Sequence, residues 1–206
     1  MGFMKGNPSV TRYRVTVNLP PDFTEEEIGE RLRKQSFEDI EKTSEESSAG
    51  WVELIDDLSP AFEVGSYKFG PNYAFNLRED SRKLPAKTLN RYYNIAEREY
   101  FEKTKVRPNS VQKKELKENL RLSLLKRCLL TTDLREVVWL TGRDEVWLAG
   151  SGEKTRLLFE ELWGQTFGLP VRLLVPVTMA LETVPPENRD DVMGLVPGIL
   201  SGEEEE

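Results

Sequence analysis

The chain has 206 residues, with 29 lysines and arginines against 36 aspartates and glutamates, a net charge of -7, one cysteine and no histidine. The missing histidines exclude Ser-His-Asp and Cys-His nucleophiles and histidine metal sites, and the single Cys128 excludes an internal disulfide and a cysteine zinc site. One free cysteine fits a reducing compartment, so we expect a cytoplasmic protein.

The first block, residues 1–77, holds 8 basic and 14 acidic side chains. Alternating apolar residues predict a strand over 10–19. Thr24 and Glu27 form a capping-box pattern, which predicts a helix over 24–36 with Ile28 and Leu32 facing inward. Apolar runs with turn residues between them predict three further strands, at 50–55, 61–69 and 72–78. We expect these elements to form an N-terminal α+β lobe over residues 1–82.

The central block, residues 78–135, reverses the charge balance, with 16 basic and 8 acidic side chains. Apolar residues recur at helical spacing between residues 85 and 105, which predicts an amphipathic helix. Its inward stripe comprises Leu89, Tyr92, Tyr93, Ala96 and Tyr100. On the opposite side, four basic residues lie within about 40° of one another at ~100° per residue. These are Lys87, Arg91, Arg98 and Lys105.

Residues 107–110 contain Pro108, which ends the first helix, and a second helix is predicted from Val111 to about Leu130. Its first half is basic on one side, at Lys113, Lys114, Lys117 and Arg121, and apolar on another, at Leu116 and Leu120. Residues 83–131 are therefore predicted to form a protruding helical hairpin with basic faces.

The last block, residues 136–206, is acidic, with 5 basic and 14 acidic side chains. We expect a ββαβ lobe over 132–180: strands at 137–140 and 145–149, a helix from Ser151 to Phe167, and a strand at 169–177. That strand is too short to cross a bilayer. Residues 181–206 are rich in proline and glutamate and predict a flexible acidic tail.

The loop at 150–155 lies between a predicted strand and helix, where a phosphate-binding loop would lie. Glu153 separates Gly152 from Lys154, which places a negative charge where phosphate should bind, so we favour helix capping by Ser151. Ser151 and Lys154 also match a Ser-x-x-Lys nucleophile pattern, although no companion motif accompanies it.

A metal-dependent nuclease would need carboxylates that converge on Mg²⁺. The paired aspartates at 56–57 and 190–191 lie in loop-like segments, and Glu115 with Lys117 lies on a predicted helix, where a nuclease motif would use a strand. We expect no cofactor and no metal site, and we keep the nuclease as an alternative function.

The strongest functional signal is the excess of cations along the hairpin, because ordinary solvated helices mix signs by i, i+4 pairing. Lysines and arginines along a rod suit phosphate backbones, which bind without regard to sequence. The predicted phosphate contacts are Lys87, Arg91, Arg98, Lys113, Lys114, Lys117, Arg121, Lys126 and Arg127. Docking of the hairpin on an acidic protein partner is a further alternative.

The chain resembles the RdgC family of bacterial recombination-associated proteins over about residues 10–180. The resemblance lies in the order and spacing of several short segments: Gly50-Trp51-Val52, Leu84-Pro85, residues 113–118, Leu124-Leu125 with Arg127, Ser151 and Lys154, and residues 167–171.

Membership in this family implies an α+β protein with small antiparallel or mixed sheets that binds DNA without sequence preference. It also implies a homodimer that encircles or clasps duplex DNA, associates with the nucleoid and restrains the RecA recombinase. We expect a non-enzymatic protein with no membrane partner. This chain differs from the family in two respects that bear on ring closure and on DNA contact. Family members continue for roughly another hundred residues, into a region that helps close the ring, and an aromatic residue of the family is Leu129 here.

Overall fold

The computed structural model describes residues 2–4, 6, 9–20 and 23–195. Its strands are β1 (Val10–Val15), β2 (Ser47–Glu53), β3 (Lys68–Phe69), β4 (Asn72–Arg82), β5 (Leu130–Leu140), β6 (Glu145–Ala149) and β7 (Val171–Leu173). Its helices are α1 (Glu25–Lys34), α2 (Ala86–Thr104), α3 (Ser110–Leu125), α4 (Glu153–Phe167), α5 (Pro176–Thr183) and α6 (Arg189–Met193). The predicted α+β class is confirmed.

The seven strands form one antiparallel sheet in the order β2-β4-β5-β6-β1-β7, with β3 paired to the start of β4. Strands of the predicted N-terminal lobe and of the predicted C-terminal lobe are thus hydrogen-bonded within one sheet. The hairpin of α2 and α3 is inserted between β4 and β5, which pair along their length from Tyr73–Trp139 to Arg82–Leu130.

Helices α1 and α4 cover one face of the sheet and form the core with it. Alternate strand residues point to this face, among them Tyr13, Trp51 and Trp139, and all three side chains are buried. The aromatic residues of α4 pack against them edge-on or tilted, with Trp163 5.0 Å from Trp139 between ring centroids. Thr24 caps α1 as predicted, since its hydroxyl accepts a hydrogen bond from the Glu27 amide at 3.3 Å.

Two short motifs in the core have clear structural roles. A Cβ on Gly50 would lie 2.4 Å from the Phe37 Cα, because the chain after α1 runs alongside β2 here and pairs with it through a parallel bridge between Ser36 and Trp51. The Trp51 indole donates a hydrogen bond to the Thr166 hydroxyl at 2.7 Å. Gly168 ends α4 with φ of +65°, a conformation that favours glycine.

Several predicted boundaries were wrong. Of the strand expected at 61–69 only Lys68–Phe69 forms, because Phe62 and Gly65 both adopt positive φ. Helix α3 ends at Leu125, about a turn early, since β5 starts at Leu130 opposite Arg82. The N-cap of α4 is Gly152, with no side-chain cap, so Ser151 does not cap it.

The strand expected over 169–177 ends at Leu173, because Pro176 starts α5. The tail predicted from residue 181 includes the end of α5 and all of α6, and residues 196–206 lie outside the described residues. None of the helices within the described ranges is long and apolar enough to cross a membrane.

Candidate nucleic-acid interface

Residues 83–131 form the predicted pair of helices with a sharp turn between them. Lys105 ends α2 in the left-handed conformation, and Asn109 begins α3 with a reciprocal capping box. The Asn109 carboxamide oxygen accepts from the Gln112 amide at 2.9 Å, and the Gln112 side chain accepts from the Asn109 amide at 3.0 Å. These bonds satisfy amides that would otherwise be left without partners at the start of α3.

The two helices pack through the apolar stripe predicted on α2. Leu89, Tyr93, Ala96 and Tyr100 are half-buried, whereas Tyr92 is 38% exposed and faces outward, contrary to the prediction. No residue of α2 is fully buried, and in α3 only Leu124 and Leu125 are. Most of the hairpin surface is therefore open to solvent. Its predicted protrusion from the rest of the protein stays a prediction.

The basic side of α2 forms one continuous surface. Lys87, Arg91 and Arg98 line a single shallow depression of about 470 Å³ together with Asn90, Asn94 and Ile95. No carboxylate lines this depression, and its two asparagines add neutral hydrogen-bond donors. The depression therefore offers an anionic group three cations and no like charge.

The basic side of α3 is also solvent-exposed. Lys114, Lys117 and Arg121 lie within about 60° of one another around the helix axis, at ~100° per residue. Lys113 lies at the edge of this group nearer to α2, as its contact with α2 shows. All four side chains belong to exposed residues.

Two of the nine predicted contact residues form ion pairs within the protein. Lys113 Nζ lies 3.0 Å from the Glu97 Oε1 of α2, and this hydrogen bond, together with the Glu97 charge, raises the pKa of Lys113. Arg121 pairs with Glu46, which precedes β2. Both pairs are exposed and therefore contribute little to stability, but each carboxylate would compete with any anionic ligand for its cation.

The other seven predicted residues form no ion pair with any residue that the structure describes. They are Lys87, Arg91, Arg98, Lys114, Lys117, Lys126 and Arg127. Lys126 and Arg127 follow directly after α3 and precede β5, so they lie where the hairpin joins the sheet, far from the 105–109 turn.

Sequence reasoning missed a second group of side chains near the turn. Arg107, Phe101 and Glu102 line a depression of about 410 Å³ with Arg98, Lys113 and Glu97. Phe101 is 46% exposed, so its ring is accessible beside three cations and two carboxylates. The signal for Phe101 was present in the sequence, since it lies three residues after Arg98 and therefore near it on α2.

The loop at 150–155 does not have the arrangement of a phosphate-binding loop. Lys154, which would have to reach the phosphate, forms an ion pair with Glu79 of β4. Lys154 is also the lysine of the Ser-x-x-Lys nucleophile pattern, so the ion pair with Glu79 involves that residue as well. Within the described ranges, no group of three or more aspartate, glutamate, cysteine or histidine residues is arranged to hold a metal ion.

The family model described as "Putative exonuclease, RdgC" matches residues 8–183. This range covers most of the chain, so the chain belongs to the RdgC family of recombination-associated proteins, as its short motifs predicted. The family motifs at Gly50-Trp51 and at residues 167–171 belong to the core and to the end of α4, whereas residues 113–118 lie on the basic helix α3. None of the curated proteins matches this chain.

Proposed function

We propose that this member of the RdgC family is a non-enzymatic protein that binds DNA without sequence preference, through the cations of the α2–α3 hairpin. The observation that carries the proposal is the set of seven exposed basic side chains without ion-pair partners among the described residues. Three of them share a depression without any carboxylate.

The spacing of these cations supports contact with a phosphate backbone. Lys87 and Arg98 are eleven residues apart on one side of α2, which corresponds to roughly 16 Å at 1.5 Å per residue. Phosphates of one strand follow each other every ~3.4 Å along the duplex axis, so this side of α2 spans about five of them. Contacts of this kind position a protein on DNA and carry no base information.

The distribution of charge supports the hairpin as the contact surface. The net charges are -6 for residues 1–77, +8 for residues 78–135 and -9 for residues 136–206. A polyanion is repelled by the acidic parts and attracted by the hairpin, which orients it during approach. The overall charge of -7 therefore does not argue against a DNA partner.

We further propose, from membership in the family, a homodimer that encircles or clasps duplex DNA, associates with the nucleoid and restrains the RecA recombinase. The hairpin is compatible with such a clasp because its cations lie on both helices. Sedimentation of the protein with and without a short duplex tests the dimer, and a RecA strand-exchange assay tests the restraint.

The proposal is tested by fluorescence anisotropy with two labelled duplexes of unrelated sequence. We expect equal dissociation constants for the two duplexes at the same salt concentration. No binding to either duplex at low salt would contradict DNA binding, and a difference of more than tenfold between them would contradict sequence independence. Tight binding of an acidic protein in the absence of DNA binding would favour the protein-docking alternative.

The description of the matching family, "Putative exonuclease, RdgC", favours a second candidate, an exonuclease. Incubation of end-labelled DNA with the purified protein and Mg²⁺ or Mn²⁺ separates the two candidates. Our proposal predicts intact DNA. Degradation that co-purifies with the protein, and is lost with an unfolded variant, would establish the exonuclease instead.

A further inference from the structure

The tip of the hairpin carries an aromatic ring in a depression of its own. Phe101 lies in the last turn of α2 and is 46% exposed. The depression around it has a volume of about 410 Å³, and we call it the tip depression. The residues that line it together with Phe101 are Glu97, Arg98, Glu102, Arg107 and Lys113.

The backbone around Phe101 is held in place by local hydrogen bonds. The Phe101 carbonyl accepts from the Lys105 amide at 2.7 Å, where Lys105 ends α2 in the left-handed conformation. The Thr104 hydroxyl donates to the Tyr100 carbonyl at 2.8 Å and accepts from the Val106 amide at 3.3 Å. A ligand of the tip depression therefore meets a ring on an ordered backbone, which lowers the entropic cost of binding.

Two arginines give the tip depression an excess of positive charge. Lys113 and Glu97 form an ion pair with each other, which leaves Arg98 and Arg107 against the single charge of Glu102. Neither arginine forms an ion pair with any residue in the described part of the chain. The tip depression therefore offers two exposed guanidinium groups beside an apolar ring, and guanidinium groups bind phosphate through paired N–H donors.

The tip depression adjoins the basic side of α2. Arg98 lines both the tip depression and the shallow depression that contains Lys87 and Arg91. Phe101 comes three residues after Arg98, which places it about 4.5 Å further along the helix axis and ~60° around it. A DNA strand whose phosphates follow Lys87, Arg91 and Arg98 would therefore reach Phe101 with its next nucleotides.

The chemistry of the ring selects one kind of ligand. A phenyl ring has no hydrogen-bonding group with which to read a base edge, but its face can stack on a planar group. A base in the interior of a duplex has both faces covered by its neighbours, whereas an unpaired base has an open face. Every base has such a face, so stacking does not depend on sequence. Single exposed aromatic side chains are common on protein surfaces, and the cations around Phe101 distinguish it from them.

We propose that Phe101 stacks on an unpaired base, with Arg98 and Arg107 at the neighbouring phosphates, so that the hairpin binds duplex DNA with a single-stranded tail more tightly than blunt duplex DNA. This inference rests on the proposed DNA-binding function and adds the form of DNA that the hairpin prefers. The cations of α2 hold the duplex part, and the tip depression holds the tail. Stacking of one base on an aromatic side chain changes affinity by about five- to a hundredfold.

Anisotropy titrations of the full chain with a blunt duplex and a tailed duplex, containing equal numbers of phosphates, test the proposal. We expect the unaltered protein to bind the tailed duplex at least about fivefold more tightly. Phe101→Ala should remove this preference and change the affinity for the blunt duplex by less than about twofold. The matched control is Tyr92→Ala. It removes a ring that is 38% exposed and lies nine residues earlier, about 180° around α2 from Phe101, so the preference should remain.

Two further variants separate stacking from packing, because Phe101→Leu keeps an apolar side chain and Phe101→Tyr keeps an aromatic ring. The tyrosine variant should keep the preference for the tailed duplex, and the leucine variant should lose it. A preference that persists in Phe101→Ala or Phe101→Leu, or an equal loss of affinity for both duplexes in a folded variant, would overturn the proposal.

The unaltered protein distinguishes this inference from the proposed function on which it rests. Equal affinity for the blunt and the tailed duplex would overturn the inference and leave DNA binding by the hairpin intact. No binding of either duplex at low salt would overturn both.

Discussion

Lys113 of α3 forms an ion pair with Glu97 of α2, with Nζ and Oε1 3.0 Å apart, and so joins the two helices at the edge of the basic surface. Both side chains are partly exposed, so the pair adds little to stability. The Glu97 carboxylate, however, neutralises Lys113, one of the cations proposed to contact DNA. If the hairpin binds DNA as proposed, we expect the pair to limit DNA affinity more than it stabilises the hairpin.

The first prediction follows from this pair. The variant Glu97→Gln removes one negative charge from the basic surface and frees Lys113, so its affinity for duplex DNA should rise, roughly two- to fivefold at moderate salt. Anisotropy titrations measure the change. The matched control is Glu99→Gln, which makes the same charge change on a different side of α2 and should raise affinity less. Weaker binding by Glu97→Gln would show that the pair organises the surface.

The second prediction concerns the salt dependence of binding. If about six of the seven unpaired cations contact phosphates, log Kd should rise with log salt concentration with a slope of roughly 5. Lys117→Gln should reduce this slope by about one. The slopes come from anisotropy titrations at several salt concentrations. A slope near zero for the unaltered protein would contradict binding through the phosphate backbone.

The third prediction concerns the close approach of Gly50 to the backbone of Phe37. Gly50→Ala places a methyl group 2.4 Å from the Phe37 Cα, where backbone blocks it, and should lower the free energy of unfolding by at least about 3 kcal/mol. Urea denaturation measures the loss. Gly142→Ala, where a Cβ would meet nothing within 4 Å, should be nearly neutral. Equal stabilities of the two variants would contradict the close approach.

The fourth prediction concerns the pH dependence of stability. Burial acts to raise the pKa of Glu145, but hydrogen bonds from Trp147 and Arg12 and the charges of Arg12 and Arg14 outweigh it and hold the pKa below its ordinary value. A carboxylate with a lowered pKa stabilises the folded state above its unfolded-state pKa, about 4.3. That stabilisation is lost as the pH falls through the lower folded-state pKa.

Glu145→Gln should therefore be less stable than the unaltered protein at pH 7, by about 1–3 kcal/mol. The difference should shrink as the pH falls below about 4. Urea denaturation of both proteins between pH 3 and pH 7 measures it. A difference that stays constant over this range would show that the charge of Glu145 does not contribute.

Local sequence signals predicted the helices of the hairpin well. The apolar spacing on α2 and the capping pattern at Thr24 of α1 act within one or two turns, so they can be recognised from a few neighbouring residues. The Asn109 cap of α3 was not predicted. The grouping of Lys87, Arg91 and Arg98 on one side of α2 follows from the same helical spacing.

Contacts between distant parts of the chain were not predictable from such signals. The order of the sheet depends on strand pairs such as Tyr13–Val146, and the pairing of Arg121 with Glu46 joins residues 75 positions apart. Phe62 looked like a strand residue but adopts φ of +47° with its side chain buried in the core, because packing outweighs local preference there. The ion pairs of Lys113 and Arg121 made the largest difference to the candidate site, because they leave seven of the nine predicted contact residues without an ion-pair partner among the described residues.

The central claim is that the unpaired cations of the hairpin bind DNA, and charge reversal at two of them tests it most directly. The variant K114E/K117E and the control K34E/K42E change the net charge equally, and all four lysines belong to exposed residues. We predict that K114E/K117E weakens duplex binding at least about a hundredfold while K34E/K42E weakens it only a few-fold, with both variants folded. Equal losses in the two variants, or unchanged binding in K114E/K117E, would contradict the claim.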